Sequence, residues 1–150
     1  MGTISENFSY REFEKSAIAD RRGYCNVITS TRVRDAVKAL TLEILQPLRD
    51  AVRMRVVISS GYRCPELNAD PAVNGSSSSQ HMKGEAADIH VILPDGTEVP
   101  SWCVALIIRA LDLPYDQLIV YPTFVHVSHK LEGKQRGQLL YNKSYKGPRI

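Results

Sequence analysis

The sequence predicts an α+β fold in which a mainly antiparallel sheet packs against two or three helices. Segments with strand patterns lie between segments with helical periodicity. Strands and helices do not alternate one by one, as they do in folds built on a parallel sheet. At 150 residues the chain has the length of one domain, without a repeat or a long linker. We therefore expect residues 1–150 to form a single domain.

The first third of the chain predicts two helices. Residues 8–23 are typical of a short polar-faced helix, with Ser9 as its N-cap and Gly23 as its stop. After Ser30, apolar residues recur at helical spacing over four turns and predict a core helix, which Pro47 should bend or end. The recurring residues are Val33, Val37, Leu40, Ile44, Leu45 and Leu48.

Two strands and an irregular segment are predicted next. Residues 54–63 form a β-branched run broken by Gly61, which favours a buried strand. Residues 64–79 are rich in turn formers, with room for one brief helix. Residues 84–93 predict another strand, and a turn signal follows at 94–99.

The last third predicts one helix and up to three strands. Residues 101–113 are apolar nearly all round, which predicts a second buried helix. Residues 116–130 predict two short strands around Pro122. Residues 137–150 add one edge strand.

Composition and charge argue against several classes of protein. A net charge of +3 with scattered basic residues does not predict a nucleic-acid groove. No apolar run approaches the roughly 20 residues that span a bilayer, so membrane insertion is not expected. The start of the chain lacks the pattern of a signal peptide. Three separated cysteines without a CxxC pair favour reduced thiols and folding in a cytoplasm.

Strand alternation brings potential metal ligands together. It places Ala86, Asp88 and His90 on one face of their strand. A carboxylate in so apolar a segment should be buried and needs a charge partner, which a divalent cation would supply. His81 lies seven residues before Asp88 and can fold back over the strand.

The remaining histidines lie in the segment "FVHVSH", residues 124–129. Flanked by two valines, His126 is the predicted inward-facing ligand, and His129 is the predicted surface residue. Two histidines and one carboxylate with an open fourth position form the arrangement of a catalytic zinc site. The alternative is a hydrogen-bonded core histidine beside a capping aspartate, and spacing alone does not decide between them.

Four motifs follow one another along the chain: "SSGYRCPELN", "SSQHMKGEAADI", "DQLI" and "FVHVSH". In this order they resemble the D-alanyl-D-alanine carboxypeptidase-like zinc peptidases, whose fold is shared with hedgehog signalling domains. The likeness covers about residues 5–140, and "NFSYREFEKSA" and "LQPLRD" resemble the family's phage-associated branch. The matching positions are Ser60, Gly61, Tyr62, Arg63, Ser79, His81, Gly84, Ala86, Asp88 and His126.

The resemblance implies roles for the matching residues. It implies zinc held by His81, Asp88 and His126, with water in the fourth position. It also implies that Arg63 steadies the substrate or its developing oxyanion, since a guanidinium binds a carboxylate at two points. The alternative for Arg63 is a structural salt bridge.

Three further positions shape the predicted site. Ser79 is expected to shape the loop that presents His81 and is a candidate substrate contact. Gly84 should allow the backbone turn between the ligands. Tyr62 is either a packing residue or a substrate contact.

The chain departs from the family at the general base, which must reach the attacking water. Many relatives have an acidic residue three positions before the last histidine ligand, where this chain has Thr123. Others have Glu in the strand after "DQLI", where this chain has Val120 and Tyr121. His90 is the first choice because it shares a strand face with Asp88, although it could instead orient Asp88. The other candidates are Glu85, His129 and Asp116.

The resemblance implies zinc-dependent hydrolysis of peptidoglycan stem peptides next to a D-amino acid, by a carboxypeptidase or a cross-link endopeptidase. We expect a monomer that is made in a bacterial cytoplasm and acts on the cell wall, either in phage lysis as a phage-encoded endolysin or in wall remodelling. The missing acidic base motivates a rival prediction, a zinc-stabilised binding or virion structural module without activity. A hydrolase of another small peptide or amide is a third prediction.

Overall fold

The computed structural model describes residues 2–150 and begins with two short strands and two short helices. Strands β1 (Thr3–Ser5) and β2 (Phe8–Ser9) pair antiparallel in a small sheet of their own. Helices α1 (Tyr10–Glu14) and α2 (Ala17–Arg22) follow. The single helix predicted for residues 8–23 is therefore two helices.

The break between α1 and α2 has a local cause. Lys15 is extended at φ −65° and ψ 129°. Ser16 then caps the start of α2, because its hydroxyl accepts a hydrogen bond from the amide of Ala19. The predicted outer ends are correct, because α1 starts directly after Ser9 and Gly23 ends α2 in the left-handed conformation.

The core helix continues through Pro47. Helix α3 (Thr31–Leu40), a π-helical turn (Thr41–Leu45) and helix α4 (Gln46–Val52) follow without a gap. The wide turn ends two residues before Pro47, and the Gln46 amide donates to the Thr41 carbonyl five residues earlier. Pro47 has no backbone N–H to donate, and the wide turn shifts the hydrogen-bond register just before it, so the helix continues.

The main sheet has five strands: β3 (Arg55–Ser60), β4 (Ala86–Ile92), β5 (Gln117–Val120), β6 (Val125–Ser128) and β7 (Gln138–Tyr141). Their order is β3-β4-β6-β5-β7. Neighbouring strands run antiparallel except β5 and β7, which are parallel. The predicted α+β class with a mainly antiparallel sheet is confirmed.

Two further helices and one tight turn complete the described elements. Helix α5 (Pro65–Ala69) is the brief helix predicted in the turn-rich segment, and α6 (Ser101–Ala110) is the second buried helix. A 3₁₀ turn (Gln80–Lys83) precedes β4. Within residues 2–150 none of the helices has both the length and the apolar character that crossing a bilayer requires.

The sheet has a buried face and an open face. On β4, Ala87, Ile89 and Val91 are fully buried in the core, as are Val125 and Val127 on β6. Burial of each larger aliphatic side chain stabilises the fold by roughly 1.5–3 kcal/mol. Because side chains alternate along a strand, the intervening residues of β4 and β6 point to the open face. That face carries the candidate site.

Candidate metal centre

Asp88 and His126 are direct neighbours on the open face. The register of β4 and β6 pairs these two residues, and the Nδ1 atom of His126 lies 3.0 Å from the Oδ1 atom of Asp88. Flanking valines on the core face hold His126 in place. Strand alternation therefore brings a carboxylate and an imidazole to one point of the sheet.

The 3₁₀ turn brings His81 to the same point. The Ser79 hydroxyl accepts a hydrogen bond from the His81 amide at 3.2 Å, and Gly84 ends the turn with φ +73°. A side chain at Gly84 would also collide with Val33, since a Cβ atom there would lie 2.7 Å from the Val33 carbonyl oxygen. Gly84 is thus needed both for its conformation and for the close packing of the turn on α3.

The hydrogen bond of the His81 ring fixes its tautomer. The Nδ1 atom lies 2.7 Å from the Gly61 carbonyl oxygen, which only accepts, so Nδ1 carries the proton. The Nε2 lone pair consequently faces Asp88 and His126. This is the arrangement of a metal-binding histidine whose second nitrogen donates to a backbone carbonyl.

Three donor atoms form a nearly equilateral triangle. The distances are 3.0 Å from His126 Nδ1 to Asp88 Oδ1, 3.2 Å from His126 Nδ1 to His81 Nε2, and 3.3 Å from His81 Nε2 to Asp88 Oδ1. Tetrahedral ligands about 2.0–2.1 Å from zinc lie about 3.3 Å apart. The His–Asp–His group therefore fits a tetrahedral zinc ion and leaves one position open.

The charge states of the triangle suit a cation. Burial opposes ionisation of Asp88, which is 8% exposed, but the hydrogen bond with His126 holds its pKa well below the usual range. Burial lowers the pKa of His81, although Asp88 opposes that shift. His81 thus favours the neutral form that binds metals, beside an ionised carboxylate.

Arg63 lies at the edge of the triangle. Its guanidinium is 3.7 Å from the second carboxylate oxygen of Asp88, and it donates hydrogen bonds of 3.2 Å to Ser60 and to Asn68. Burial lowers the pKa of Arg63, and Asp88 opposes that shift, but an arginine keeps its charge at neutral pH. The group is held rigidly beside the ligands, and its side chain is 15% exposed.

A network behind the 3₁₀ turn supports His81. The Gln80 amide nitrogen lies 3.2 Å from both Glu85 Oε1 and Asp116 Oδ2. The Asp116 carboxylate, fully buried, also accepts hydrogen bonds from the side chain and the amide of Arg136. Burial alone would raise the pKa of Asp116, but hydrogen bonds from Arg136 outweigh it, so this pKa lies below its usual value.

We expect Asp116→Asn to destabilise the protein by about 2 kcal/mol, or roughly 4–8 °C in Tm. Replacing the buried carboxylate by an amide removes its ion pair with Arg136. The loss of stability is limited because Arg136 is half exposed and solvent screens that ion pair. Because the folded pKa is depressed, the contribution is present above the unfolded pKa of about 3.9 and is lost as pH falls below it. Thermal melts at pH 7 and pH 3 measure this difference.

The exposed Asp35 on α3 provides the control, since Asp35→Asn should leave Tm unchanged at both pH values. A variant of Asp116 that melts like wild type at pH 7 would contradict this account of the network.

The cavity around the triangle has a volume of about 490 Å³. Ser79 lines it and its hydroxyl caps the 3₁₀ turn, while its contact with substrate stays a prediction. Tyr62 does not line it; this side chain packs against the core, and its substrate contact stays a prediction. Besides the triangle and Arg63, the lining includes Asn74, Ser76, Ser78, Ser79, Gln80, Gln117, Ile119, Tyr121 and Arg136.

His90 lies outside this cavity. It shares the strand face of Asp88, but it lies two residues further along β4 and lines a neighbouring cavity. Its ring nitrogens lie 2.5 Å from Glu98 Oε1 and 3.1 Å from the Ser59 hydroxyl. To act as the general base, the His90 ring would have to break its contacts with both Glu98 and Ser59.

The other candidate bases are also engaged elsewhere. Glu85 accepts from Gln80 and from the amide of Leu131, and His129 Nδ1 lies 2.8 Å from the Pro114 carbonyl oxygen. Asp116 binds Arg136 behind the turn. Among residues 2–150, Asp88 is the only carboxylate that lines the cavity.

The structure adds residues that the sequence did not single out for this site. Gln117, Ile119 and Tyr121 line the cavity because β5 pairs with β6 and Ile119 is the neighbour of His126. Alternation along "DQLIVY" could have shown this. Arg136 comes from a loop near the end of the chain, and no local pattern pointed to it.

Comparison with known proteins identifies the family. The Peptidase M15 family model matches residues 6–128, which is most of the chain and includes the triangle, Arg63 and Tyr121. No curated protein matches the chain. Members of this family are zinc-dependent peptidases, and the donor triangle has the spacing that zinc requires. The chain therefore belongs to the M15 family of zinc metallopeptidases.

Proposed function

We propose that the protein is a zinc-dependent peptidase that hydrolyses peptidoglycan stem peptides next to a D-amino acid, as a carboxypeptidase or a cross-link endopeptidase. The observation that carries this proposal is the donor triangle at the base of an open cavity, with Arg63 beside it. Structural zinc sites are closed by four protein ligands, whereas catalytic sites keep one position open. The cavity volume of about 490 Å³ lies in the usual range for small-ligand sites.

The residues of the triangle and those around it have different proposed roles. His81, Asp88 and His126 would hold zinc, which when bound activates water and polarises a carbonyl group. Arg63 supplies a fixed positive charge that can orient a substrate carboxylate or stabilise a developing oxyanion. Ser79 and Gln80 hold the turn that presents His81.

Tyr121 lines the cavity, in the stretch after "DQLI" where the resemblance implies an acidic residue in some relatives. Burial raises the pKa of Tyr121, and the nearby charge of Asp88 raises it further, while Arg63 lowers it. A neutral phenol donates a hydrogen bond to developing negative charge and does not accept the proton of a water molecule. We therefore propose slow hydrolysis, with Tyr121 as a hydrogen-bond donor.

The absence of a second carboxylate from the cavity lining, within residues 2–150, favours one alternative. In that alternative the same zinc site binds stem peptides without cleaving them, as a binding or virion structural module.

The motifs "NFSYREFEKSA" and "LQPLRD" support the further proposal of a phage-associated role in lysis, with synthesis in a bacterial cytoplasm.

Mass analysis of purified muropeptides tests the proposal. We expect zinc-loaded protein to release one alanine or to split cross-linked dimers, and a chelator-treated sample to leave them intact. Zinc content is measured in the same sample. Intact muropeptides with fully zinc-loaded protein would contradict the peptidase and favour the binding module.

A further inference from the structure

A second cavity opens on the same face of the sheet as the metal site, with a volume of about 750 Å³. We call it the arginine cleft and define it by six of its lining residues. These are Arg49, Arg53, Arg55, Ser59, His90 and Glu98.

The arginine cleft is positively charged and its cations are free to bind a ligand. Within residues 2–150, Arg49, Arg53 and Arg55 form no side-chain hydrogen bond or ion pair, and the last two are exposed. The acidic residue of the cleft, Glu98, is already bonded to His90. Three arginines without an ion-pair partner therefore line one cavity, and they outnumber its single carboxylate.

The cleft continues the metal site along β4. Alternate residues Asp88, His90 and Ile92 point to the same face, and each step spans about 6.8 Å. His90 and Ile92 line the cleft, whereas Asp88 lines the metal cavity. An extended peptide with its scissile bond at Asp88 would enter the cleft after about two to four residues.

We infer that the arginine cleft binds a carboxylate of the substrate peptide, two to four residues from the scissile bond. The inference rests on the proposed function, since it takes a peptide as the ligand. A guanidinium group binds a carboxylate through two parallel hydrogen bonds. Two or three guanidinium groups around one site therefore favour binding of a carboxylate there. A glutamate joined to its neighbour through its side chain leaves its α-carboxylate free for this contact.

Two synthetic peptides test the inference. Both are the pentapeptide L-Ala-γ-D-Glu-L-Lys-D-Ala-D-Ala, one with the glutamate α-carboxylate free and one with it converted to the amide. Affinity for the zinc-loaded protein is measured as KM if the peptide is cleaved, and as Kd by calorimetry if it stays intact. A failed hydrolysis and a failed carboxylate contact are therefore distinguishable.

We expect wild type to bind the free acid about tenfold more tightly than the amide, and Arg53→Gln/Arg55→Gln to lose this preference. The control is Arg109→Gln, an exposed arginine on α6, which should keep it. Thermal melts check that the double variant is folded. Equal affinity of wild type for both peptides, binding of neither, or an equal loss for both in the double variant would overturn the inference.

Discussion

His81→Ala is expected to abolish zinc binding and peptide hydrolysis together. His81 contributes one of three donor atoms, and its Nδ1 hydrogen bond to Gly61 fixes the direction of that donor. Mutation of a residue that only orients a metal ligand typically lowers metal affinity or activity by about 10- to 100-fold. Loss of the ligand itself should therefore lower activity by more than about 100-fold. Zinc content and the rate of stem-peptide cleavage are the two measurements.

The matched control is His129→Ala. His129 follows the same strand, but its ring contacts the Pro114 carbonyl and does not line the cavity. We expect this variant to keep its zinc and its rate. A His81→Ala protein with one zinc per chain and the wild-type rate would refute the assignment of the triangle.

Tyr121→Glu is expected to raise kcat by about 100-fold. Tyr121 lines the cavity beside the triangle, whereas the preceding Val120 is buried in the core, so a carboxylate at position 121 would face the substrate. A positioned general base typically contributes about 10²- to 10⁴-fold. Initial rates on a stem pentapeptide should therefore rise at neutral pH, and the gain should vanish at acidic pH, where the new carboxyl group is protonated.

Tyr121→Gln separates the base from the change in shape. Glutamine has the size of glutamate but accepts no proton at neutral pH, so this variant should show no gain. If Tyr121→Glu keeps its zinc and cleaves no faster than Tyr121→Gln, a missing base does not limit the wild-type rate.

Periodicity was sufficient to predict the fold class, the long core helix and the alternation of the strands that carry the site. Alternation along β4 and β6 separated the buried valines from the residues of the open face, and the register of these strands then placed Asp88 beside His126. The helical repeat from Val33 to Leu48 predicted the long core helix. These signals are strong because burial of one face constrains each residue of the element.

Features set by long-range or single-residue effects were not predictable. The break at Lys15 depends on the capping of α2 by Ser16, and helical spacing continues across it. The two-residue strand β2 is too short to show alternation. His90 shares the face of Asp88 as predicted, but only the positions of Glu98 and Ser59 show that its ring is held in the neighbouring cleft. Arg136 reaches the site through its ion pair with Asp116, which joins residues distant in sequence.

Anomalous diffraction at the zinc edge from crystals of the zinc-loaded protein tests the assignment of the metal centre. We expect one peak about 2.0–2.1 Å from His81 Nε2, Asp88 Oδ1 and His126 Nδ1, with a water molecule as the fourth ligand. A peak elsewhere would contradict the assignment of the centre. A fourth protein ligand at this position would show a closed structural site and contradict the proposed catalysis.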